Sequence, residues 1–382
     1  MKFLHLSDLH IGKIVNGYSM LNDQRHIIDQ VLGYIQAERP DAVVIAGDVY
    51  DRSVPGVEAV RLFDDFLTKL ANANTKVMLI SGNHDSPERL NYASRLLSDK
   101  GLFLCGTFDG TLRKVTLADG HGEVHFWLLP FIKPSSVSGL FRGREIESYN
   151  DALAAALETA EVDYSDRNVL VSHQFYTKAG VAPARSESEL ISVGGLEEID
   201  AGLIEGFDYA ALGHLHRAQS VGAVHVRYAG SPIKYSFSEW RQDKSVTLVE
   251  IKEKGSLGLT EFPLTPLHDM REIRGEIEKL TSPDVSSLAD EKDYLRVILT
   301  DEGEIIDPMG KLRSVYPNIM SLDFENSRTS IDVGAITAEA GTIENLSPFD
   351  LFSEFFLITQ GSAMDAAQAE VVRELLEAGD GR

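Results

Sequence analysis

The sequence predicts an α/β protein: a mainly parallel β-sheet covered by helices, followed by a smaller unit and two terminal helices. Three observations predict it. Apolar, β-branched runs recur through the first 240 residues, helical patterns lie between them, and the character of the chain changes near residue 240. The runs are KFLHLS, AVVIAG, KVMLIS, VHFWLLP, NVLVSH and YAALGH. Continuous apolar runs of this length suit strands buried on both faces. In DQRHIIDQVLGYIQAERP, Ile27, Val31, Leu32 and Ile35 follow helical spacing, and Pro40 stops the run. In VPGVEAVRLFDDFLTKLAN, Val60, Phe63, Leu67 and Leu70 do the same. Strand, helix, strand order implies a parallel sheet with helices packed on it. The later runs are less regularly spaced, which leaves room for a second sheet.

Beyond residue 240, SVTLVEIKEKGSLGLTEFPL reads as a hairpin turning near Gly255 or Gly258. After Pro266 comes a helix around MREIRGEIEKL, a loop from Pro283 to Asp290 and a strand YLRVILT. A short helix around DPMGKLRSVYP and a strand IMSLDFE complete this unit. Residues 331–346 read as a linker. One tail helix starts at Ser347 and Pro348 and carries Phe349, Phe352, Phe355 and Phe356. The other carries Val371, Leu375 and Leu376. Those apolar faces either pack on the chain's own body or dock on a partner helix.

Composition bounds the answer. The chain has 382 residues, 43% hydrophobic and 25% charged, as in a soluble globular protein of two or three domains. No apolar stretch reaches membrane-span length, and the first residues carry no signal-peptide pattern, so the expected location is cytoplasmic, with no membrane partner. The one cysteine, Cys105, offers no internal disulfide and reads as a small buried apolar residue. Net charge is −23, of which −8 falls in residues 1–260 and −15 in the rest. Such a surface repels nucleic acid at long range. An anionic substrate therefore meets the first part of the chain, where bound divalent cations would offset much of its charge.

The chemistry lies where five apolar runs end. HLSDLH supplies Asp8 and His10, VIAGDVYD supplies Asp48, and ISGNHD supplies Asn83, His84 and Asp85. LVSH supplies His173, and LGHLH supplies His214 and His216. Ligands of open α/β sheets bind off the carboxyl ends of the strands, so these residues are expected to converge on one edge. Asp8 and His10 are two apart, as are His214 and His216, and in extended chain each pair points one way. Gly47, Gly82 and Gly213 precede ligand candidates and permit sharp turns and close backbone approach. A lone strand histidine is more often a satisfied core residue, the reading applied to His5, His26, His121 and His125. Carboxylate, amide and imidazole without thiolate suit Mn²⁺, Fe or Zn²⁺. Seven ligands exceed what one ion needs. Two ions sharing the two oxygens of Asp48 fit, and such pairs serve phosphoryl displacement.

In order, D-x-H, G-D-x-x-D, G-N-H-D, an isolated His and G-H-x-H resemble the calcineurin-like metallophosphoesterases. AGDVYDRSVPGVEAV, SGNHDSPERLNYASRLL, LVSHQFY, SVGGLEEID, ALGHLHRAQ and YAGSPIKYSFSE resemble the Mre-type DNA-repair nucleases among them, over nearly the whole chain. The resemblance implies a four-layer sandwich of β-sheets flanked by helices over residues 1–265, with a small α+β capping domain at 266–330. It implies C-terminal helices at 347–382 that dock on the coiled coil of an SMC-like ATPase. It implies two Mn²⁺ ions, with Mg²⁺ or another divalent ion able to serve. One would be held by Asp8, His10, Asp48 and His216, the other by Asp48, Asn83, His173 and His214. His84 would be the catalytic histidine, and Asp85 would orient it. The implied activity is 3′–5′ exonuclease action on double-stranded DNA ends and endonuclease action on single strands and hairpins. The implied assembly is a homodimer, through helices after Pro55 and Pro87, within a heterotetramer. Two positions depart from the pattern. Asp51 stands where archaeal and eukaryotic relatives tend to have His, and Ala218 stands where Pro is frequent.

Two further readings share these residues. One is a small-molecule or protein phosphatase on the same fold. Purple acid phosphatases place a Tyr ligand three residues after the bridging Asp, where this chain has Asp51, with Tyr50 one place off. The other is a scaffold without chemistry, which the complete ligand set opposes. Lys13, Arg52, Arg89 and Lys234 are basic residues available to a DNA backbone, or simply solvated.

Overall fold

The structure, a computed structural model, describes residues 1–141, 143–189, 197–326, 347–360 and 363–379. The expected linker at 331–346 and most of SVGGLEEID lie outside the described residues. The chain divides into two compact units, Met1–Asp269 and Met270–Arg382.

The first unit holds two six-stranded sheets. In sheet order, the first runs Leu257–Pro263, Ser245–Ile251, Lys2–Leu6, Ala42–Ala46, Lys76–Ile80, Leu102–Cys105. The second runs Gln219–Val221, Ala223–Tyr228, Tyr209–Gly213, Arg167–His173, Gly122–Leu129, Arg113–Asp119. The central strands of both are parallel. Antiparallel pairs close both edges of the second sheet and one edge of the first, whose other edge strand, Leu102–Cys105, runs parallel to its neighbour. All six expected runs are therefore strands, divided between two sheets rather than one.

The layers follow from alternation along each strand. Phe3, Val44, Ala46, Met78 and Ile80 of the first sheet share one buried core with Phe126, Leu128, Val169, Val171 and Ala211 of the second. Successive residues face opposite ways. Leu170, Ala210 and Leu212 meet Ala152, Leu153 and Ala156 of the helix Tyr149–Ala160 on the far side of the second sheet. Ile27, Ile28 and Val31 of the helix Leu21–Glu38 and Phe66 of Val57–Asn72 meet Leu6 on the outer side of the first. Helix, sheet, sheet, helix is the result. The hairpin turns at Gly255 (φ 79°), and Gly258 lies within its second strand. Cys105 is buried with a thiol pushed up to about 12 by desolvation, in keeping with an inert core residue. No helix among the described residues is long and apolar enough to cross a membrane.

The second unit corrects one expectation. The sequence predicts a helix over MREIRGEIEKL, yet Met270–Gly275 is a strand and only Ile277–Leu280 is helical. Ile273, Ile277 and Leu280 imitate helical spacing. The strand forms because all six of its residues pair in parallel with Tyr294–Leu299, and Gly275 (φ 156°) ends it. Ile319–Phe324 adds a third parallel strand. The expected loop after Pro283 contains a short helix, Pro283–Ser286. Leu280, Leu295, Val297, Leu299, Leu312 and Tyr316 form the core of this sheet. In the tail, Pro348–Gln360 and Ala366–Gly379 are helices, with Arg373 stacked 4.4 Å from the Phe349 ring.

One side chain ties the sheets together at the end remote from the carboxyl edge. Arg167 opens a central strand of the second sheet and is 5% exposed. Its guanidinium donates to Asp119 Oδ1 at 2.7 Å, to the Gly122 carbonyl at 2.7 Å and to the Lys252 carbonyl at 2.6 Å. Asp119 also accepts from the amine of Met1. The Arg167 hydrogen bonds, foremost, hold the Asp119 carboxyl well below the usual carboxylate range. Removing Arg167 leaves the part-buried Asp119 carboxylate and the Gly122 and Lys252 carbonyls without their donor. Arg167→Met is therefore expected to cost about 1–3 kcal/mol in urea unfolding, with Arg167→Lys restoring little because lysine lacks the planar fork. A depressed carboxyl stabilises the fold above its ordinary range and loses that contribution as pH falls. The gap between wild type and Arg167→Met should accordingly shrink on acidification.

Candidate metal centre

The first-sheet strands end at Leu6, Ala46 and Ile80, and the second-sheet strands at His173 and Gly213, all toward one edge. The structure brings the predicted residues together there. Asp8, His10, Asp48, Asp85, His173, His214 and His216 are buried, and Asn83 and His84 are half-buried. His10 Nε2 lies 3.1 Å from His216 Nε2. Asn83 Oδ1 lies 3.1 Å from His173 Nε2 and 3.1 Å from His214 Nδ1. Asp48 Oδ2 stands between these groups, 3.7 Å from His10 Nε2 and 3.4 Å from His173 Nε2. Asp8, His10 and His216 offer donor atoms within 4.8 Å of one another, as do Asp8, Asp48 and His173, and His10, Asp48 and His84.

This donor set fits divalent cations. Ligand atoms about 2.0–2.2 Å from a shared ion sit roughly 3 Å or more apart, the spacing seen here. Two imidazole nitrogens facing each other at 3.1 Å in a buried site need a proton or a cation between them. Burial pushes His10 well below its usual range and His214 down to about 3, so both rings are neutral and offer lone pairs. Burial opposes charge on His173 too, but the adjoining Asp48 carboxylate raises it to about 9. Burial raises the Asp8 carboxyl, the response of an anion lacking sufficient counter-charge.

Local backbone explains why these side chains converge. Asp8 (φ 53°), His10 (42°), Asp48 (50°) and His214 (109°) all have positive φ, a strained state for non-glycine residues that concentrates at functional sites. The i, i+2 pairs thus point into the pocket through left-handed loops beyond the strand ends, rather than through the extended pleat that the sequence predicts. Ladder-like bonds fix those loops: the amides of Asp8, His10 and Ile11 donate to the carbonyls of Gly47, Asp48 and Val49 at 3.1, 3.0 and 2.9 Å. The glycines act by proximity. A Cβ on Gly47 would stand 2.3 Å from His173 Nδ1, one on Gly82 2.1 Å from Asp48 Oδ1, and one on Gly213 1.9 Å from the Ala46 carbonyl.

Two assignments change in detail. Asp48 Oδ1 accepts the His84 amide at 2.9 Å, and Oδ2 is the oxygen that lies near both His10 and His173. Asp85 does not touch the His84 ring. Its carboxylate accepts the amides of Val49, Tyr50 and Gly82 at 3.1, 2.9 and 2.9 Å, riveting the Asp48 loop to the Asn83 loop. Burial and the nearby Asp48 raise its carboxyl to about 6 despite those bonds. The His84 ring is oriented instead by the Asp51 carbonyl, 3.0 Å from Nδ1. The sequence carried no signal for that, because any residue at 51 supplies a carbonyl. Glu239 and Ser188, which hold His216 from behind, were likewise assigned no role.

Other histidines divide. His5 and His125 are buried and bonded to Tyr209 Oη and Thr116 Oγ1 at 2.9 Å each, as core residues. His26 is only half-buried and His121 is exposed, so the core reading fails for both. Tyr50 turns its ring to Phe63, at 5.6 Å between centroids. Lys13 pairs with Asp51 and Lys234 with Asp269, each at 2.7 Å, while Arg52 is 70% exposed.

Two face-to-face sheets that gather carboxylates, imidazoles and one amide at a shared edge define the class, a metallophosphoesterase sandwich. The profile of the calcineurin-like phosphoesterases matches residues 1–218, and that described as the type 5 capsule protein repressor C-terminal domain matches 266–359. The SbcD subunit of nuclease SbcCD from Staphylococcus epidermidis is 36% identical over 326 residues, covering 84% of this chain and 85% of its own. Its counterpart of the same name from Staphylococcus saprophyticus is 31% identical over 389 residues, covering 99% of this chain and 98% of its own. The chain belongs to the calcineurin-like phosphoesterase family and, within it, to the family of SbcD subunits of nuclease SbcCD.

Gly213→Ala tests the close approach of the sheets. Its Cβ meets backbone, so the strand ends must part. The expected cost is about 1–3 kcal/mol in thermal unfolding, with fewer divalent ions retained per chain by elemental analysis.

Proposed function

We propose that the chain is the nuclease subunit of an ATP-dependent DNA repair and recombination complex. It hydrolyses phosphodiester bonds with Mn²⁺, as a 3′–5′ exonuclease on double-stranded ends and an endonuclease on single strands and hairpins. The observation that carries this reading is a set of buried and half-buried oxygen and nitrogen donors, gathered in one pocket of a chain that aligns over most of its length with relatives named as nuclease subunits.

In this reading Asp8, His10, Asp48 and His216 would hold one ion. Asp48, Asn83, His173 and His214 would hold the other, with Asp48 common to both. Two such ions, when bound, supply an activated water and neutralise charge on the phosphate. The remaining work belongs to the chain. Asp85 keeps Asn83 and Asp48 in register through the backbone. His84 stays off the ions and faces the scissile phosphate through Nε2, since Nδ1 donates to the Asp51 carbonyl. With Nδ1–H so committed, Nε2 carries a proton only in the imidazolium form. As a donor to the leaving oxygen, His84 therefore acts as a cation.

Residues 1–265 form the nuclease domain, 266–330 a cap over one side of the DNA, and 331–346 a linker. Residues 347–382 grip the coiled coil of the SMC-like ATPase SbcC. Support for the grip comes from exposed apolar residues on both tail helices: Phe352, Phe355, Val371 and Leu375. Support for a homodimer comes from exposed Val57, Val60, Tyr92 and Leu96 on and beside the helices after Pro55 and Pro87. The resulting heterotetramer works in the cytoplasm.

A cleavage assay on blocked and hairpin DNA ends, with and without the ATPase, tests the whole. Chelation should abolish cleavage and Mn²⁺ should restore it. His84→Ala is expected to lose about 100- to 10,000-fold in rate while binding both ions; full activity with ions bound would refute its role. Equal hydrolysis of small nucleotide esters and DNA, with no response to the partner, would favour the phosphatase reading instead.

At a net charge of −23, the isolated chain should bind DNA weakly and in a strongly salt-dependent way. Adding the ATPase should tighten binding at the same salt. Equal affinities with and without it count against the proposed assembly.

A further inference from the structure

Behind His216 lies a buried network that the metal-ligand reading leaves unused. Glu239 is fully buried, and Lys244 is 8% exposed. Glu239 Oε2 accepts from Lys244 Nζ at 2.6 Å. Glu239 Oε1 accepts from Ser188 Oγ at 2.6 Å and lies 3.2 Å from His216 Nδ1. Ser188 Oγ is itself 2.8 Å from His216 Nδ1. Lys244 Nζ also donates to the His216 carbonyl at 2.8 Å, and Glu189 Oε1 accepts the His216 amide at 2.7 Å. The backbone and the ring of His216 are thus gripped by one cluster drawn from two distant segments, 188–189 and 239–244.

Proton accounting within the cluster places a proton on His216 Nδ1. Paired with the Lys244 ammonium, Glu239 is a carboxylate and only accepts. Ser188 gives its single proton to Glu239, so its oxygen is an acceptor toward His216. Nδ1 then faces two acceptors and must carry the ring proton. The neutral ring is left with its lone pair on Nε2, the atom that faces His10 Nε2 at 3.1 Å. A buried ion pair stabilises a fold no better than an apolar pair of the same size, so placement of the ring is the more economical account of its presence.

We propose that the Glu239–Lys244 pair, acting directly and through Ser188, fixes His216 as the Nδ1–H tautomer and thereby sets the affinity of the ion held by Asp8, His10 and His216. The inference rests on the reading of His216 as a metal ligand. Glu239 and Ser188 are positioning residues, without contact to substrate. His173 Nδ1 donates to the Ala46 carbonyl at 2.7 Å rather than to a carboxylate, so the effect of the Glu239–Lys244 pair belongs to one ion of the two.

The test combines nitrogen NMR of the histidine rings with Mn²⁺ titration of the full chain. In the metal-free wild type, the His216 ring, assigned by its loss in His216→Gln, should show the Nδ1–H tautomer. An Nε2–H ring would overturn the proposal without either Glu239–Lys244 variant having to fold. Wild type should bind two Mn²⁺ ions; failure to do so sinks the metal reading itself, separately from this inference. Glu239→Leu combined with Lys244→Met removes the pair together, so no lone charge stays buried. It should weaken one ion by about 10- to 100-fold and leave the other unchanged. Glu239→Gln with Lys244→Met returns an acceptor to Nδ1–H and should recover most of the lost affinity. Unchanged affinity for both ions, or equal weakening of both, would reduce the cluster to structural packing and overturn the proposal.

Discussion

The site depends on two backbones touching where the sheets meet. The Ala46 carbonyl ends a strand of the first sheet, and His173 Nδ1, from the second, donates to it at 2.7 Å. That bond closes the edge of the sandwich and turns Nε2 of His173 toward Asp48. It forms only because Gly47 and Gly213 have no side chains to hold the layers apart. A donor atom here is placed by the packing of the two cores, so the stability of the sandwich and the geometry of the pocket are one problem.

The same closeness creates an electrostatic demand. Carboxylates and imidazoles that have left water need either protons or cations. The opposed directions of their titration, with Asp8 pushed up and His10 and His214 pushed down, are the signature of anions and bases awaiting positive charge. The strained φ values at Asp8, His10, Asp48 and His214 are the backbone counterpart. Strain and desolvation together destabilise the empty pocket, and divalent ions offset both. An acidic protein can then present a cationic pocket to a polyanionic substrate.

Much of this was legible in the sequence. Apolar runs ending in Asp, Asn and His name the side chains that the structure gathers in one pocket, because polar groups recurring at the ends of buried strands have to be satisfied together. The sequence pattern was weaker wherever backbone atoms act. Asp51 serves His84 through its carbonyl, and Asp85 serves three amides rather than its neighbour's ring. Met270–Gly275 reads as helix by its spacing and is a strand because all six of its residues pair in parallel with Tyr294–Leu299. Propensity is local and pairing is not.

By itself, the sequence determined the chemistry on offer: oxygen and nitrogen donors without thiolate, at the ends of apolar strands, beside glycines. It also determined the alternation of strand and helix that sends those ends to one edge. The tertiary structure decided what local patterns do not encode. It divided the strands between two sheets and set one oxygen of Asp48 near both His10 and His173. It also brought Glu239 and Ser188 up behind His216, from positions 23 and 28 residues away. Those outcomes follow from long-range packing, in which partners distant in the chain compete for the same buried hydrogen bonds.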